Sequence, residues 1–272
     1  MAEALKKSDI EVLVATMNRN SLDFLQAMFP FGYANFSILV VNQTAPQNII
    51  QSGAPSVRVL NVFETGLSKS RNTALANSKG KFCIIADDDV IFNSGFDTAI
   101  INAFNINPDA ALIGFRTEKA PGKLFKKYPS ERKTSLTPFD YFNVMSVEMV
   151  LNREIVTEAG MRFDERFGLG AQFCMGEEAI FVNELQDRKL KVVMEPEVLT
   201  THAADSTHTK MPLKEKYYTL GAVYTAIFGS RYLLWLLIKI IFDVKHAVLS
   251  PFGVPAAIKA GLKGRRAFKE QL

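Results

Sequence analysis

Cysteine is scarce in this chain of 272 residues: only Cys83 and Cys174 are present. Both lie in apolar or motif-like stretches, so a disulfide framework is excluded and a reducing compartment is expected. The opening residues, MAEALKKSDIEVLV, lack the apolar segment of a signal peptide. The apolar run at residues 232–238 (YLLWLLI) is too short to cross a bilayer, which takes about 20 such residues. No GxGxxG follows the first apolar run, and no GxxxxGK[S/T] occurs, so the usual dinucleotide fingerprint and the P-loop are both missing. Internal repeats and low-complexity tracts are absent as well. What remains is a folded protein, 48% hydrophobic and long enough to bury a sizeable core.

The net charge of +4 is unevenly placed: residues 1–205 carry −4 and residues 206–272 carry +8. The basic character therefore belongs to the tail and points to an anionic partner there, either a membrane surface or a nucleic acid. Upstream, short apolar runs alternate with helical patterns. Residues 11–16 (EVLVAT), 36–41 (FSILVV), 57–62 and 82–86 read as buried strands. Helices are expected at 22–29, 69–78 and 95–105, with turn residues between. Strand character returns at 110–117, 141–151 and 190–194, the last ended by Pro196. Helices are also expected at 152–159 and from Glu177 to about residue 187. This β-α-β alternation predicts an α/β fold with a mostly parallel sheet flanked by helices. The polar stretch 118–138 is either a functional loop or a disordered insertion.

The chain is organised around residues 81–93, KFCIIADDDVIFN. A buried strand runs straight into Asp87, Asp88 and Asp89. Ligands of open α/β sheets sit outside the carboxyl ends of the strands, so three carboxylates arrive where such a protein does its chemistry. Three like charges need cationic compensation, and a divalent metal such as Mg²⁺ or Mn²⁺ is the simplest answer, because both prefer hard oxygen ligands. The alternative is a solvated acidic turn. A second unusual stretch, 163–178 (FDERFGLGAQFCMGEE), is glycine-punctuated and ends in Glu177 and Glu178 at the start of a helix. Carboxylates there also suit a helix N-terminus, so plain capping is the other reading. Asp205, Ser206 and His208 crowd a single turn and do not make a hydrolytic triad.

Taken in order, these stretches resemble the family-2 glycosyltransferases of the GT-A fold. Thr16 and Asn42 resemble the nucleoside-binding start of that family. GLSKSRNTALANSKGKF (66–82) is similar to its G-x-S-x-[AS]-R-N segment, and ADDD (86–89) to its DxD metal site. FDERFGLGAQFCMGEEAIFVNEL resembles the FDE-x-FG…G-E-D segment that supplies a catalytic base, and His202 stands where a metal-proximal histidine is found. The likeness spans residues 11–208. It implies a GT-A catalytic domain over residues 1–205, inverting and metal-dependent, with Mn²⁺ or Mg²⁺ held by Asp87, Asp89 and His202. It further implies a nucleotide-sugar donor, UDP-linked, contacted by Thr16, Asn42, Arg71, Asp87 and Asp88, with Glu178 as base and Glu177 held beside it. Asn42-Gln43-Thr44 replaces the usual Asp-Asp-Gly-Ser, and Glu177-Glu178 replaces Glu-Asp, one methylene longer at the second position.

The tail, 206–272, is expected to be helical. At about 3.6 residues per turn, Arg231, Lys239 and Asp243 share one side, and Leu233, Leu236, Leu237, Ile240 and Ile241 the other, with Trp235 near the polar edge. Lys259, Lys263, Arg265, Arg266 and Lys269 follow. An amphipathic helix with basic followers predicts peripheral attachment at the inner face of the cell membrane. The alternative is packing on the catalytic core or on a second subunit. The resemblance and the tail together imply a glycan acceptor, lipid-linked, in surface-polysaccharide assembly, in the cytoplasm, with no nucleic acid and with a homo-oligomer allowed. Two rivals stand beside this. A nucleotidyltransferase needs a glycine-rich basic loop where the chain reads ATMNRNS. A non-enzymatic membrane-binding module needs only the tail.

Overall fold

β-branched and aliphatic residues alternate sides along the first strands, and this decides the architecture. The structure, a computed structural model, describes residues 4–202 and 211–271. The expected boundary at 205/206 and the Asp205, Ser206 and His208 group lie outside these described residues. Along β1 (Ile10–Met17), Val12 and Val14 face one layer while Leu13 faces the other. After α1 (Phe24–Met28) come β2 (Ser37–Gln43) and β3 (Val57–Val62), then α2 (Leu67–Asn77), β4 (Phe82–Asp87) and β5 (Val90–Phe92). Next are α3 (Phe96–Ile106), β6 (Ala110–Ala120), β7 (Lys123–Leu124), α4 (Pro138–Tyr141), β8 (Met149–Asn152) and α5 (Arg153–Glu158). The remainder is α6 (Glu177–Asp187), β9 (Lys191–His202), α7 (Leu213–Phe228), α8 (Tyr232–Lys245) and α9 (Val254–Lys269).

The strands form one sheet in the order β3-β2-β1-β4-β8-β6-β9-β5, with β7 paired to β6. The first four are parallel, as the alternation predicted. β8 runs against both of its neighbours, β6 and β9 are again parallel, and β5 runs against β9. One core lies between the sheet and α1 and α3, around Phe29, Phe92, Phe96 and Phe104. The other lies under α2, α5 and α6, around Leu75, Phe163, Phe181 and Leu185. This is the α/β architecture of a GT-A domain, followed by helices.

Three expectations are corrected. Residues 141–151 are mostly not strand: α4 ends there, a 3-10 turn covers Ser146–Glu148, and only Met149 onward pairs. Pro196 does not end the last strand. The β6–β9 register shifts between the Gly114–Met194 and Arg116–Val198 pairs, so the proline sits at a bulge where its missing N–H costs no ladder bond. The polar stretch 118–138 is ordered: β6 and β7 make a hairpin, Lys133 bridges to Met194, and Tyr128 and Lys126 both donate to buried Glu148 at 2.6 and 2.9 Å.

The tail is a helical hairpin plus one helix. Leu213–Lys245 is long and apolar enough by composition to span a membrane. Yet the Tyr217 hydroxyl donates to Asp243 at 2.8 Å. A straight helix would hold those residues roughly 39 Å apart, so the chain turns back at Gly229, and α8 lies antiparallel to α7. α9 packs on α7 through glycine: a Cβ on Gly264 would lie 1.7 Å from the Tyr218 carbonyl oxygen. α7 in turn docks on the loop before α6, where Phe167 and Phe173 share a buried cluster with Tyr217 and Val223. The expected division of α8 changes accordingly. Leu236, Ile240 and Asp243 point inward together, whereas Leu233, Leu234, Leu237, Ile238, Ile241 and Phe242 are exposed. Asp243 is buried because Tyr217, Lys216 and Lys239 satisfy it.

Candidate active site

Parallel pairing places the ends of β2, β1 and β4 side by side. Thr16 stands opposite Asn42, and Ala15 opposite Asp87. The third partner is the loop before α6. Ser68 at the start of α2 donates to the Phe167 carbonyl at 2.6 Å, and the Asn72 amide donates to the Phe163 carbonyl at 2.9 Å. Gly168, with φ +103°, lets this loop approach: a Cβ there would lie 3.1 Å from Ser68 Oγ and 3.2 Å from Glu177 Cδ. α2 and α6 are thus drawn together over the end of β4.

Arg71 sits at their meeting point and is 1% exposed. Its Nη1 donates to Glu177 at 2.9 Å and Glu178 at 3.2 Å, and its Nη2 donates to Ser146 at 2.7 Å and Asp87 at 3.4 Å. Expected near the donor diphosphate, Arg71 here ties three carboxylates into one cluster. Burial alone would lower its pKa, but the three carboxylates outweigh burial and raise it. Burial raises the carboxyl of Asp87. Glu177 is pushed up to about 8, first by burial and then by the neighbouring Glu178 charge. The two glutamates converge on one guanidinium nitrogen. They differ in exposure: Glu177 is buried with Oε2 unpartnered, while Glu178 lines a cleft.

The other two aspartates have cations of their own. Asp88 accepts from Arg19 Nε at 2.7 Å and from the Thr16 hydroxyl. Asp89 lies 3.2 Å from His202 Nε2, because β5 pairs Val90 with His202. That hydrogen bond raises the imidazole pKa and lowers the carboxyl. Asn42 is fully buried, accepting from the Arg19 backbone at 3.3 Å and donating to Asn61 at 3.1 Å. The expected site residues therefore form two groups: Arg71, Asp87, Glu177 and Glu178 around one guanidinium, and Thr16, Asp88, Asp89 and His202 along the strand edge.

Arg19 and Ser146 were not among the residues expected. Arg19 was legible as the one cation in the turn after the first strand. Ser146 gave no signal, since its stretch read as strand. For a divalent cation, two aspartate carboxylates and an imidazole are the right donors, and the Asp89 carboxylate, 64% exposed, is open to it. Among the described residues, however, no three acidic, histidine or cysteine side chains already stand close enough to hold one.

A carboxylate cluster at the strand ends of an α/β sheet, with one glutamate facing a cleft, stands where an enzyme of this architecture places its chemistry. The chain belongs to glycosyl transferase family 2, whose profile matches residues 11–164. No curated protein sequence matches it. Among solved structures it is similar to S. aureus TarS 1-349, with TM-score 0.55 and 15% identity over 81% of this chain and 65% of that one. It is also similar to the same protein in complex with UDP-GlcNAc, with TM-score 0.58 and 15% identity over 92% and 79%. S. aureus TarS gives 0.54 and 15% over 81% and 40%. The chain thus spans 65% and 40% of the first two solved chains it matches. At such identity the likeness shows the fold alone.

Proposed function

We propose that this glycosyltransferase moves a sugar from a nucleotide sugar, UDP-linked, to a hydroxyl of a lipid-linked glycan acceptor, with inversion at the anomeric carbon. The observation that carries the reading is the division of labour at Arg71: one glutamate is buried on the guanidinium, and the next shares it while facing a cleft. TarS, of the same fold, is known with UDP and with UDP-GlcNAc, which supports the donor class.

The acceptor hydroxyl attacks the anomeric carbon from the side opposite the diphosphate. Glu178 takes its proton, an effect typically worth about 10²–10⁴-fold. The anomeric C–O bond breaks, and its electron pair leaves on the diphosphate oxygen. Arg71 holds Glu178 in place and, with Ser146, sets the direction of Asp87. Asp88, Arg19 and Thr16 form the donor edge. Asp87, Asp89 and His202 would hold Mn²⁺ or Mg²⁺, whose charge would stabilise the leaving diphosphate. The exposed apolar face of α8 and the basic residues of α9 attach the protein to the anionic inner face of the cell membrane. In this reading residues 1–205 form the catalytic unit and residues 206–272 the attachment.

Single-turnover transfer beside donor affinity tests the base. Glu178→Gln is expected to lose at least ~10²-fold in transfer yet bind nucleotide sugar normally, since a base acts mainly in the transition state. Glu177→Gln is expected to alter stability or donor binding first. If Glu177→Gln alone binds donor but fails to transfer, the two roles are exchanged. If neither variant loses transfer, the single-base mechanism fails.

A further inference from the structure

The cleft that Glu178 lines has a volume of about 630 Å³ and runs between residues 139–144, the start of α6, and the α7–α8 hairpin. Its walls are aromatic: Phe139, Phe142, Tyr224, Trp235 and Phe242. Trp235 is fixed by stacking on Phe228 at 4.3 Å, with Phe139 at its edge. A glycan alone would meet few hydrogen-bonding partners on such walls, although the volume suits a ligand of moderate size. The polar groups that line it are few, and the charged ones are of two kinds. At one end is Glu178. Beside the hairpin are Lys216 and Lys239, which share the single carboxylate of Asp243 and so leave one positive charge in excess. Ile238 and Phe242 line the cleft and also belong to the exposed face of α8, so its apolar wall continues onto the outer surface.

We propose that this cleft is the acceptor subsite, and that it takes a sugar joined through phosphate to an apolar chain: the phosphate on Lys216 and Lys239, the chain over Ile238 and Phe242 toward the α8 surface, and the sugar hydroxyl at Glu178. The assignment rests on Glu178 being the base. It goes beyond a lipid-linked acceptor in naming which residues read the phosphate and which the chain. One surface then does two jobs: α8 sits in the membrane boundary, and the carrier reaches the base without leaving it.

Trp235 is the only tryptophan of the chain and lines this cleft, so its fluorescence reports on occupancy there. The full-length protein is titrated with dodecyl phosphate below its micelle concentration, with dodecyl maltoside, and with inorganic phosphate, and UDP affinity in Mn²⁺ is measured on the same samples. Dodecyl phosphate is expected to give a saturable change, with at least tenfold weaker binding for dodecyl maltoside and none for inorganic phosphate. Lys216→Gln and Phe142→Ala should each weaken dodecyl phosphate at least tenfold, whereas Ile106→Lys, exposed at the end of α3 and outside the cleft, should leave it unchanged. Phe142 is 37% exposed, and unfolding of Phe142→Ala is measured alongside so that the test stays usable if the lysine variant is unstable. Equal binding of the phosphate and maltoside amphiphiles overturns the lysine assignment. Indifference to Phe142→Ala, or loss on Ile106→Lys, overturns the cleft itself. If UDP binds normally while dodecyl phosphate does not, the cleft assignment fails and the transferase reading stands. Dodecyl phosphate binding without UDP binding or sugar transfer would leave a site for a phosphate amphiphile but no acceptor subsite, and would overturn the assignment together with the transferase reading.

Discussion

Arg71→Met removes the one cation that three carboxylates share. The replacement is apolar and of similar length, so cavity formation contributes little, and the effect comes from charge. Glu177, Glu178 and Asp87 accept at 2.9, 3.2 and 3.4 Å, and all three would lose their counter-charge together. Removing one partner of a buried pair typically costs about 3–5 kcal/mol, because a charge is left behind without compensation. Protonation offers partial relief. Glu177 is already pushed up to about 8 from an ordinary 4.5, and Asp87 is raised by burial. Without Arg71 both rise further. A carboxyl whose folded pKa lies above its unfolded one contributes its stability fully below the unfolded value and loses it as pH climbs through the folded value. Each such group adds a slope of up to about 1.4 kcal/mol per pH unit. We therefore expect a loss of about 3 kcal/mol at pH 7 that grows as pH rises past about 8, where Glu177 ionises beside Arg71 in the wild type but not in the variant, read from urea unfolding of both proteins across that range. Arg71→Lys keeps the charge but not the fork that reaches four acceptors, so it should recover only part of the loss. A loss under about 1 kcal/mol at pH 7 with no pH dependence would mean that these carboxylates do not rely on the guanidinium, and the cluster would have to be reinterpreted.

The proposed metal site is tested by Asp89→Asn, which should abolish Mn²⁺-dependent UDP binding in calorimetry while leaving the melting temperature of the free protein nearly unchanged; full activity in excess chelator would remove the metal from the mechanism. Gly264→Ala places a methyl 1.7 Å from the Tyr218 carbonyl, so α7 and α9 must separate. A destabilisation of at least about 1–3 kcal/mol is expected by thermal unfolding, and an unchanged melting temperature would contradict this helix contact. Membrane attachment is tested by Leu234→Lys with Ile241→Lys, both outside the core at 58% and 67% exposure; sedimentation with anionic vesicles should fall sharply, and undiminished sedimentation would assign attachment elsewhere.

Local pattern decided much of this molecule. The alternation along residues 11–16 and 82–86, the strand-breaking aspartates and the glycines before Glu177 are read within a few residues. They place β1, β4 and α6 almost where the structure has them, because binary patterning and turn chemistry are local properties. The ordered set of stretches likewise carried the family and singled out the residues of both groups, but not Arg19, which pairs with Asp88. Charge compensation was not legible. A run of three aspartates calls for cations, but which ones arrive depends on crossovers: α2 brings Arg71 from upstream, the turn after β1 brings Arg19, and antiparallel β5–β9 pairing brings His202 from over a hundred residues away. The tail shows the same limit from the other side. Composition called α8 amphipathic, yet Asp243, charged and expected on the wet face, is 1% exposed, because the hairpin sets Tyr217 and two lysines against it. Sequence alone determined what each segment prefers to be. Tertiary structure decided which charges neutralise one another and which apolar face stays bare, since both depend on distances between residues that the chain itself keeps far apart.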